Sequence, residues 1–266
     1  KSRKFVIIGG GVAGLASAVF AAKKGHEVSL YEASSELGGL LDVASAAPHK
    51  HRWLYTKEYF LHEIDRLGVK VFLNHRMDDG ELSNFPEDAR IIISTGIIPK
   101  DDNPGNQESI PVLNVVDLLR NKAMIENKKV VVLGSRGAGL EAAHYLSENN
   151  NTVYVLSRSG KKEIGANIDF VNRKVMLQEI QERAIQFITD SDIKSIEGQD
   201  VYYFNDKTQA IEVLHGIDCI IQARGFNAND PFADNGMMRI GSADGPRKIS
   251  HSISEAYDAV EKLTYS

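Results

Sequence analysis

Val6-Ile7-Ile8-Gly9-Gly10-Gly11-Val12-Ala13-Gly14-Leu15 decides how this chain is read. An apolar, β-branched run from Lys4 to Ile8 enters a glycine turn, and Leu15 to Lys24 then carry apolar side chains at helical spacing. Gly9, Gly11 and Gly14 stand in G-x-G-x-x-G register between a strand and a helix, the context in which that spacing has physical meaning. The first glycine permits the tight turn, the second lets backbone approach a diphosphate, and the third lets helix pack on strand. The N-terminus of that helix presents unpaired N–H groups and a positive dipole end to the diphosphate, with Val12 and Ala13 of the turn as candidate contacts.

The pattern extends in both directions. Gly25 ends the helix, and His26 to Glu32 alternates as the next strand, completing a βαβ unit. Glu32 lies about 18 residues past Gly14, where a carboxylate can accept hydrogen bonds from both hydroxyls of an adenosine ribose, and Ala33 follows it. Leu37-Gly38-Gly39-Leu40 adds a second glycine pair. Thr56 to Leu67 is expected as a helix with Phe60, Leu61, Ile64 and Leu67 on one face, followed by a strand through Val69, Val71 and Leu73. Ile91 to Ser94 is a further strand, delivering Thr95 and Gly96 at its end. His49, His51 and Trp53 match no metal-ligand spacing and read as a loop.

Beyond a loop-like stretch from Pro99 to Pro111 the module repeats, about 125 residues on. Lys128 to Leu133 is the strand, Gly134 to Gly139 the turn, Leu140 to Ser147 the helix and Thr152 to Leu156 the second strand. This copy reads Gly134-Ser135-Arg136-Gly137-Ala138-Gly139, with Arg136 at the middle-glycine position. The guanidinium either pairs with the phosphates of a ligand or fills their place. No acid ends the following strand; Ser157 and Arg158 stand there, with Lys161 and Lys162 close behind. Serine and arginine suit a 2′-phosphate that a carboxylate would repel, so NADPH is expected over NADH. Glu141 is either a helix-surface residue or a group near the nicotinamide.

Asp169 to Ala184 reads as a helix, Val201 to Phe204 and Ile217 to Ile221 as strands. A last helix is expected from a capping box at Ser252 and Glu255 to about Leu263. The fold class is α/β, with two Rossmann-like dinucleotide-binding units, the second inserted into the first: residues 1–105 with 226–266, and residues 106–225.

Of the 266 residues, 42% are hydrophobic and 25% charged, enough for a sizeable core. A net charge of −5 without long like-charge runs gives a nucleic-acid partner no support. Cys219, the single cysteine, lies in an apolar run and reads as a buried small hydrophobe. Alone it provides neither a disulfide nor a cysteine-ligated cluster. No stretch approaches a membrane span, and a cytoplasmic location is expected. The chain opens at Lys1 and reaches a strand within a few residues, which suggests a domain cut from a longer polypeptide.

The order Glu32, then Gly38-Gly39, resembles the FAD-binding fingerprint of flavoproteins with two dinucleotide-binding domains. Ser94-Thr95-Gly96 is similar to their Ala-Thr-Gly segment with serine in place of alanine. Nearly the whole chain resembles the C-terminal half of NADH:flavin oxidoreductases of the 2,4-dienoyl-CoA reductase and trimethylamine dehydrogenase type. The most specific parts are the opening glycine turn, Tyr31 to Gly39, Leu73-Asn74-His75, Ser94 to Pro99, Asp117-Leu118-Leu119-Arg120 and Pro246-Arg247-Lys248-Ile249.

The resemblance implies FAD in the first unit and a nicotinamide dinucleotide in the second. It further implies electron flow from NADPH to FAD, then through an iron–sulfur cluster to FMN in a TIM-barrel domain of the same parent chain. No catalytic side chain is expected, because the cofactors carry the hydride chemistry. In trimethylamine dehydrogenase-like members the module holds only ADP. Three positions depart from the pattern: Gly241-Ser242 replaces a Gly-Asp pair at the flavin ribityl chain, Ala223-Arg224-Gly225 replaces a second Ala-Thr-Gly, and Arg136 replaces glycine. These departures motivate the alternative of a nucleotide-binding structural module without redox activity. An S-adenosylmethionine-binding methyltransferase would share the first turn but explains neither the duplication nor Gly38-Gly39.

Overall fold

This computed structural model describes residues 2–102, 104, 109–120, 125–232 and 236–265. They form two compact units, one of Lys1–Ser45, Arg52–Ile98 and Phe226–Ser266, the other of Ala46–His51 and Pro99–Gly225.

The first unit begins with β1 (Lys4–Ile8), α1 (Val12–Lys23) and β2 (Glu27–Tyr31). It continues through α2 (Leu41–Ala46), α3 (Trp53–Arg66), β3 (Lys70–Phe72), α4 (Asp79–Leu82), β4 (Arg90–Ile93) and β5 (Ile97–Pro99). Near the end of the chain come β14 (Phe226–Ala228), β15 (Met238–Arg239) and α8 (Ile249–Tyr265). Among the described residues the sheet has order β15-β4-β1-β2-β3, and each of its pairings is parallel. Successive side chains of a strand face opposite sides, and β1 shows it: Phe5 and Ile7 join one apolar cluster, Val6 and Ile8 another. A strand covered on both faces needs an unbroken apolar run, which is why residues 5–8 show no polar alternation. Helix α1 is rich in alanine and buried along most of its length, packing in the same cluster as Ala256, Ala259 and Val260 of α8. Small side chains on both helices allow the close approach, and Gly25 at φ 81° ends the first helix.

The second unit contains β6 (Val112–Asn114), α5 (Val115–Arg120), β7 (Lys129–Leu133), α6 (Gly137–Ser147) and β8 (Thr152–Leu156). These are followed by α7 (Phe170–Gln181), β9 (Ile185–Ile188), β10 (Ser191–Glu197), β11 (Asp200–Asn205), β12 (Ala210–Leu214) and β13 (Cys219–Gln222). Its main sheet, order β6-β13-β7-β8-β9, is parallel throughout the described pairings. β10, β11 and β12 form a separate antiparallel meander.

The α/β reading with two Rossmann-type sheets holds. Three details differ from the sequence expectations. Helix α3 opens at Trp53, three residues before Thr56. Helix α8 opens at Ile249, so Ser252 is a buried interior residue and no capping box forms. The Glu255 carboxylate instead accepts the Gly241 N–H at 2.8 Å and the Arg247 guanidinium at 3.2 Å, a tertiary use that outweighs local capping. Finally, packing changes the unit after residue 98 and assigns Ala46–His51 to the second unit. In that segment Lys50 ion-pairs with Glu141 and His49 approaches Glu179.

Candidate functional site

The first glycine turn shows which of its glycines the fold requires. Gly9 has φ 102°, and a Cβ there would lie 2.4 Å from the Ser94 carbonyl oxygen; a Cβ on Gly14 would lie 1.9 Å from that of Gly9. Both positions exclude a side chain. Gly11 is different: it caps α1 with φ −74°, and an added Cβ meets no atom within 4 Å. The space above Gly11 is open, which is where the motif brings a diphosphate to the N–H groups of Val12 and Ala13.

The residues that the sequence associates with this turn converge on it. The Gly38 N–H donates to the Gly10 carbonyl at 2.9 Å, and a Cβ on Gly39 would stand 3.0 Å from the Gly11 Cα. Leu40 continues this loop into α2. Glu32 follows β2 and accepts the Gly10 N–H through Oε2 at 2.6 Å. Its Oε1 accepts the Ser34 N–H at 2.7 Å and the Ser34 hydroxyl at 2.8 Å, past the exposed Ala33. An ionised carboxylate has about four acceptor sites, so three internal donors leave room for a further one. From the opposite side the Ser94 hydroxyl donates to the Ile8 carbonyl at 2.9 Å, tying the ends of β4 and β1 together. Thr95 and Gly96 are held by Asn229, whose N–H donates to the Gly96 carbonyl at 2.9 Å and whose side chain donates to the Thr95 carbonyl at 3.1 Å. Gly241 lies against α1, since a Cβ there would come within 2.6 Å of the Ala13 Cβ. The hydroxyl of Ser242 accepts the Arg247 N–H at 3.1 Å.

The second turn has the same backbone demands. A Cβ on Gly134 would lie 2.6 Å from the Ala223 carbonyl oxygen, and one on Gly139 would lie 2.0 Å from that of Gly134. The surroundings differ. Among the described residues the exposed Arg136 side chain makes no hydrogen bond or ion pair, and the Gly137 N–H at the start of α6 is already bonded to Asn167 Oδ1 at 2.8 Å. Ala138 completes the turn, half-buried. Ser157 is buried, its hydroxyl bonded to that of Ser135 at 2.8 Å and accepting the Ser159 N–H at 3.2 Å, so it does not face solvent as a phosphate donor would. Arg158, Lys161 and Lys162 are exposed.

Arg224 is largely buried, ion-paired with Asp192 and 3.4 Å from Asp102. At the carboxyl ends of β6 and β13, Asn114 and Gln222 line a cleft of about 220 Å³ with Pro99, Lys100, Asp101 and Val112. Open parallel sheets take ligands outside such ends. Asn167 and Asn229 escaped the sequence reading because each acts through tertiary placement, without a local motif. Cys219 is buried in β13, and burial pushes its thiol up to about 11.

The profile of the pyridine nucleotide-disulphide oxidoreductases matches residues 3–247. The chain belongs to that family. It is an oxidoreductase domain for FAD and a pyridine nucleotide, although its single cysteine supplies no redox dithiol. An NADH oxidase of Thermoanaerobacter brockii is 31% identical over 197 residues, covering 73% of this chain and 30% of the relative. A 2-naphthoyl-CoA reductase solved with 2-naphthoyl-CoA superposes with TM-score 0.86 at 25% identity, over 98% of this chain and 40% of that one. Thioredoxin reductase of Lactococcus lactis shares the fold, with TM-score 0.79 at 20% identity, over 99% of this chain and 98% of that one. The chain thus spans less than half the length of the first two. No helix among the described residues is long and apolar enough to cross a membrane.

Proposed function

We propose that this chain is the FAD- and NAD(P)H-binding portion of an NADH:flavin oxidoreductase of the 2,4-dienoyl-CoA reductase and trimethylamine dehydrogenase type. Its electrons pass from NADPH to FAD and on to a separate FMN-binding TIM-barrel domain, with the iron–sulfur cluster also outside this chain. The observation that carries the reading is the open space over Gly11, bordered by Gly39 and Glu32. The first unit supplies the FAD site: Gly11, Val12 and Ala13 meet the diphosphate, and Glu32 takes the ribose. Thr95, Gly96, Gly241 and Ser242 border the remainder. In the second unit Arg136, Arg158 and Lys161 provide charge for the phosphates of NADPH. Bound FAD supplies the redox chemistry, accepting a hydride from the reduced nicotinamide. The side chains of this chain contribute binding and orientation. Relatives that extend well beyond this chain, and the reductase named among them, support the placement within a larger enzyme.

The test is reconstitution of the purified chain with FAD, followed by anaerobic addition of NADPH or NADH. One flavin per chain, bleached faster by NADPH, is expected; a protein that binds no flavin refutes the reading. Asn167 on the Gly137 N–H favours a second reading, in which the module binds ADP structurally and carries no electrons. Arg136→Ala separates the two. Removal of a phosphate-pairing guanidinium weakens NADPH binding by about tenfold or more, whereas tight ADP binding with no flavin and no response to this substitution supports the structural role.

A further inference from the structure

A group of side chains in the second unit has no part in the chemistry above. His144 lies within α6 with its side chain only 2% exposed, and its Nε2 is buried without a hydrogen-bond partner. Its Nδ1 stands 3.9 Å from Oε2 of Glu179 on α7, and His49 Nε2 stands 3.7 Å from Oε1 of the same carboxylate. The two imidazole rings are 5.9 Å apart. One ligand atom from each of the three residues lies within 4.8 Å of the others. These separations are too long for hydrogen bonds. Three good metal ligands therefore converge without satisfying one another.

Further features agree. His49 sits at φ 61°, a conformation uncommon outside glycine that persists only where the surroundings hold it. Glu148 is 3.9 Å from Nε2 but is engaged with Arg183 at 3.5 Å, which leaves Glu179 as the carboxylate for the cluster.

We propose that His49, His144 and Glu179 form a binding site for a divalent ion of the zinc class, completed by water. At metal–ligand bonds of about 2.0–2.2 Å, the donors around a tetrahedral ion lie roughly 3.4 Å apart. The three ligand atoms, now within 4.8 Å of one another, close to that by rotation of the exposed His49 and the half-exposed Glu179. Two imidazoles and one carboxylate select Zn²⁺ over Mg²⁺ or Ca²⁺, which prefer all-oxygen shells. The ion would fasten the Ala46–His51 segment to α6 and α7 within this unit.

The full chain, stripped with chelator, is titrated with Co²⁺ as a visible-absorbing probe, then with Zn²⁺ as competitor. One equivalent of Co²⁺ with tetrahedral absorption, displaced by Zn²⁺ and untouched by Mg²⁺, is expected. His49→Ala and Glu179→Gln should each weaken binding by about tenfold or more, and their partial exposure keeps the fold intact. His215→Ala removes an exposed histidine paired with Asp200 and should change nothing. Absence of stoichiometric binding, or binding that survives both His49→Ala and Glu179→Gln, overturns the proposal. An equal loss in His215→Ala overturns it as well.

Discussion

Replacing Gly11 by alanine separates what the glycine turn does for folding from what it does for binding. The backbone at Gly11 has φ −74° and ψ −174°, which any residue adopts, and the new methyl meets no atom within 4 Å. Loss of unfolded-state freedom favours alanine by about 0.4–1 kcal/mol. The poorer helix cap costs about 0.5–1 kcal/mol, so the two roughly cancel and stability should stay within about 0.5 kcal/mol. Binding has no such compensation. A methyl over the helix start keeps a diphosphate from the N–H groups of Val12 and Ala13, and two charge-assisted hydrogen bonds at about 1.5–3 kcal/mol each are lost. That amounts to about 3–6 kcal/mol, or roughly 10²–10⁴-fold in Kd for FAD. Urea unfolding of the flavin-free protein and fluorescence titration with FAD read the two quantities separately. Gly14→Ala is the contrast: its Cβ would sit 1.9 Å from a carbonyl oxygen, and it should not fold. Parental FAD affinity in Gly11→Ala, or a loss of affinity that merely follows a lowered Tm, would refute the reasoning.

Three other perturbations have definite outcomes. Glu32→Gln removes the charge on a group that accepts the Gly10 and Ser34 N–H groups; FAD binding should weaken by about tenfold or more, and an unchanged titration would deny Glu32 a ribose role. Glu63 is held at a pKa of about 2 by Arg66 and then Lys23, below its ordinary 4.5. A depressed folded-state pKa gives stability that is present above the unfolded value and lost as pH falls from about 4.5 towards 2, so Glu63→Gln should flatten the acid limb of a Tm-against-pH curve. Cys219, buried and with its thiol raised to about 11, should resist alkylation at neutral pH until the chain unfolds; rapid labelling followed by mass spectrometry of the native protein would contradict its burial.

Much of the architecture is legible because it depends on backbone and periodicity. The runs at Lys4–Ile8 and Lys129–Leu133 are apolar on both faces, and the glycine registers that follow are dictated by carbonyl oxygens within five residues and at the neighbouring strand. Helix boundaries were harder. Ser252 and Glu255 have capping-box spacing, yet Glu255 is drawn to Gly241 and Arg247, and the helix extends back to Ile249. The antiparallel meander was seen only at its central strand, around Val201–Phe204. Its outer strands, Ser191–Glu197 and Ala210–Leu214, are partly exposed and lack a clean apolar alternation. The meeting of His49, His144 and Glu179 has no sequence signature, because chain closure over 95 and 130 residues brings the first to the others.

The two glycine turns together show how a shared motif can carry different chemistry. Folding forbids side chains at Gly9 and Gly14, and equally at Gly134 and Gly139, where each added Cβ would collide with a backbone oxygen. The middle position is under no such demand, since the Arg136 backbone at φ −81° and ψ −178° nearly repeats that of Gly11. A residue there reports on what must approach the helix, and the fold is indifferent to it. Glycine in the first unit keeps the helix start clear for a diphosphate. In the second, arginine places a positive charge at the corresponding point while Asn167 occupies an N–H of the same turn. Backbone amides gather an anion only at close range, whereas a guanidinium on a flexible stem reaches one further out. On the proposed function, the second unit takes phosphate recognition from the backbone and gives it to Arg136 and the exposed Arg158 and Lys161.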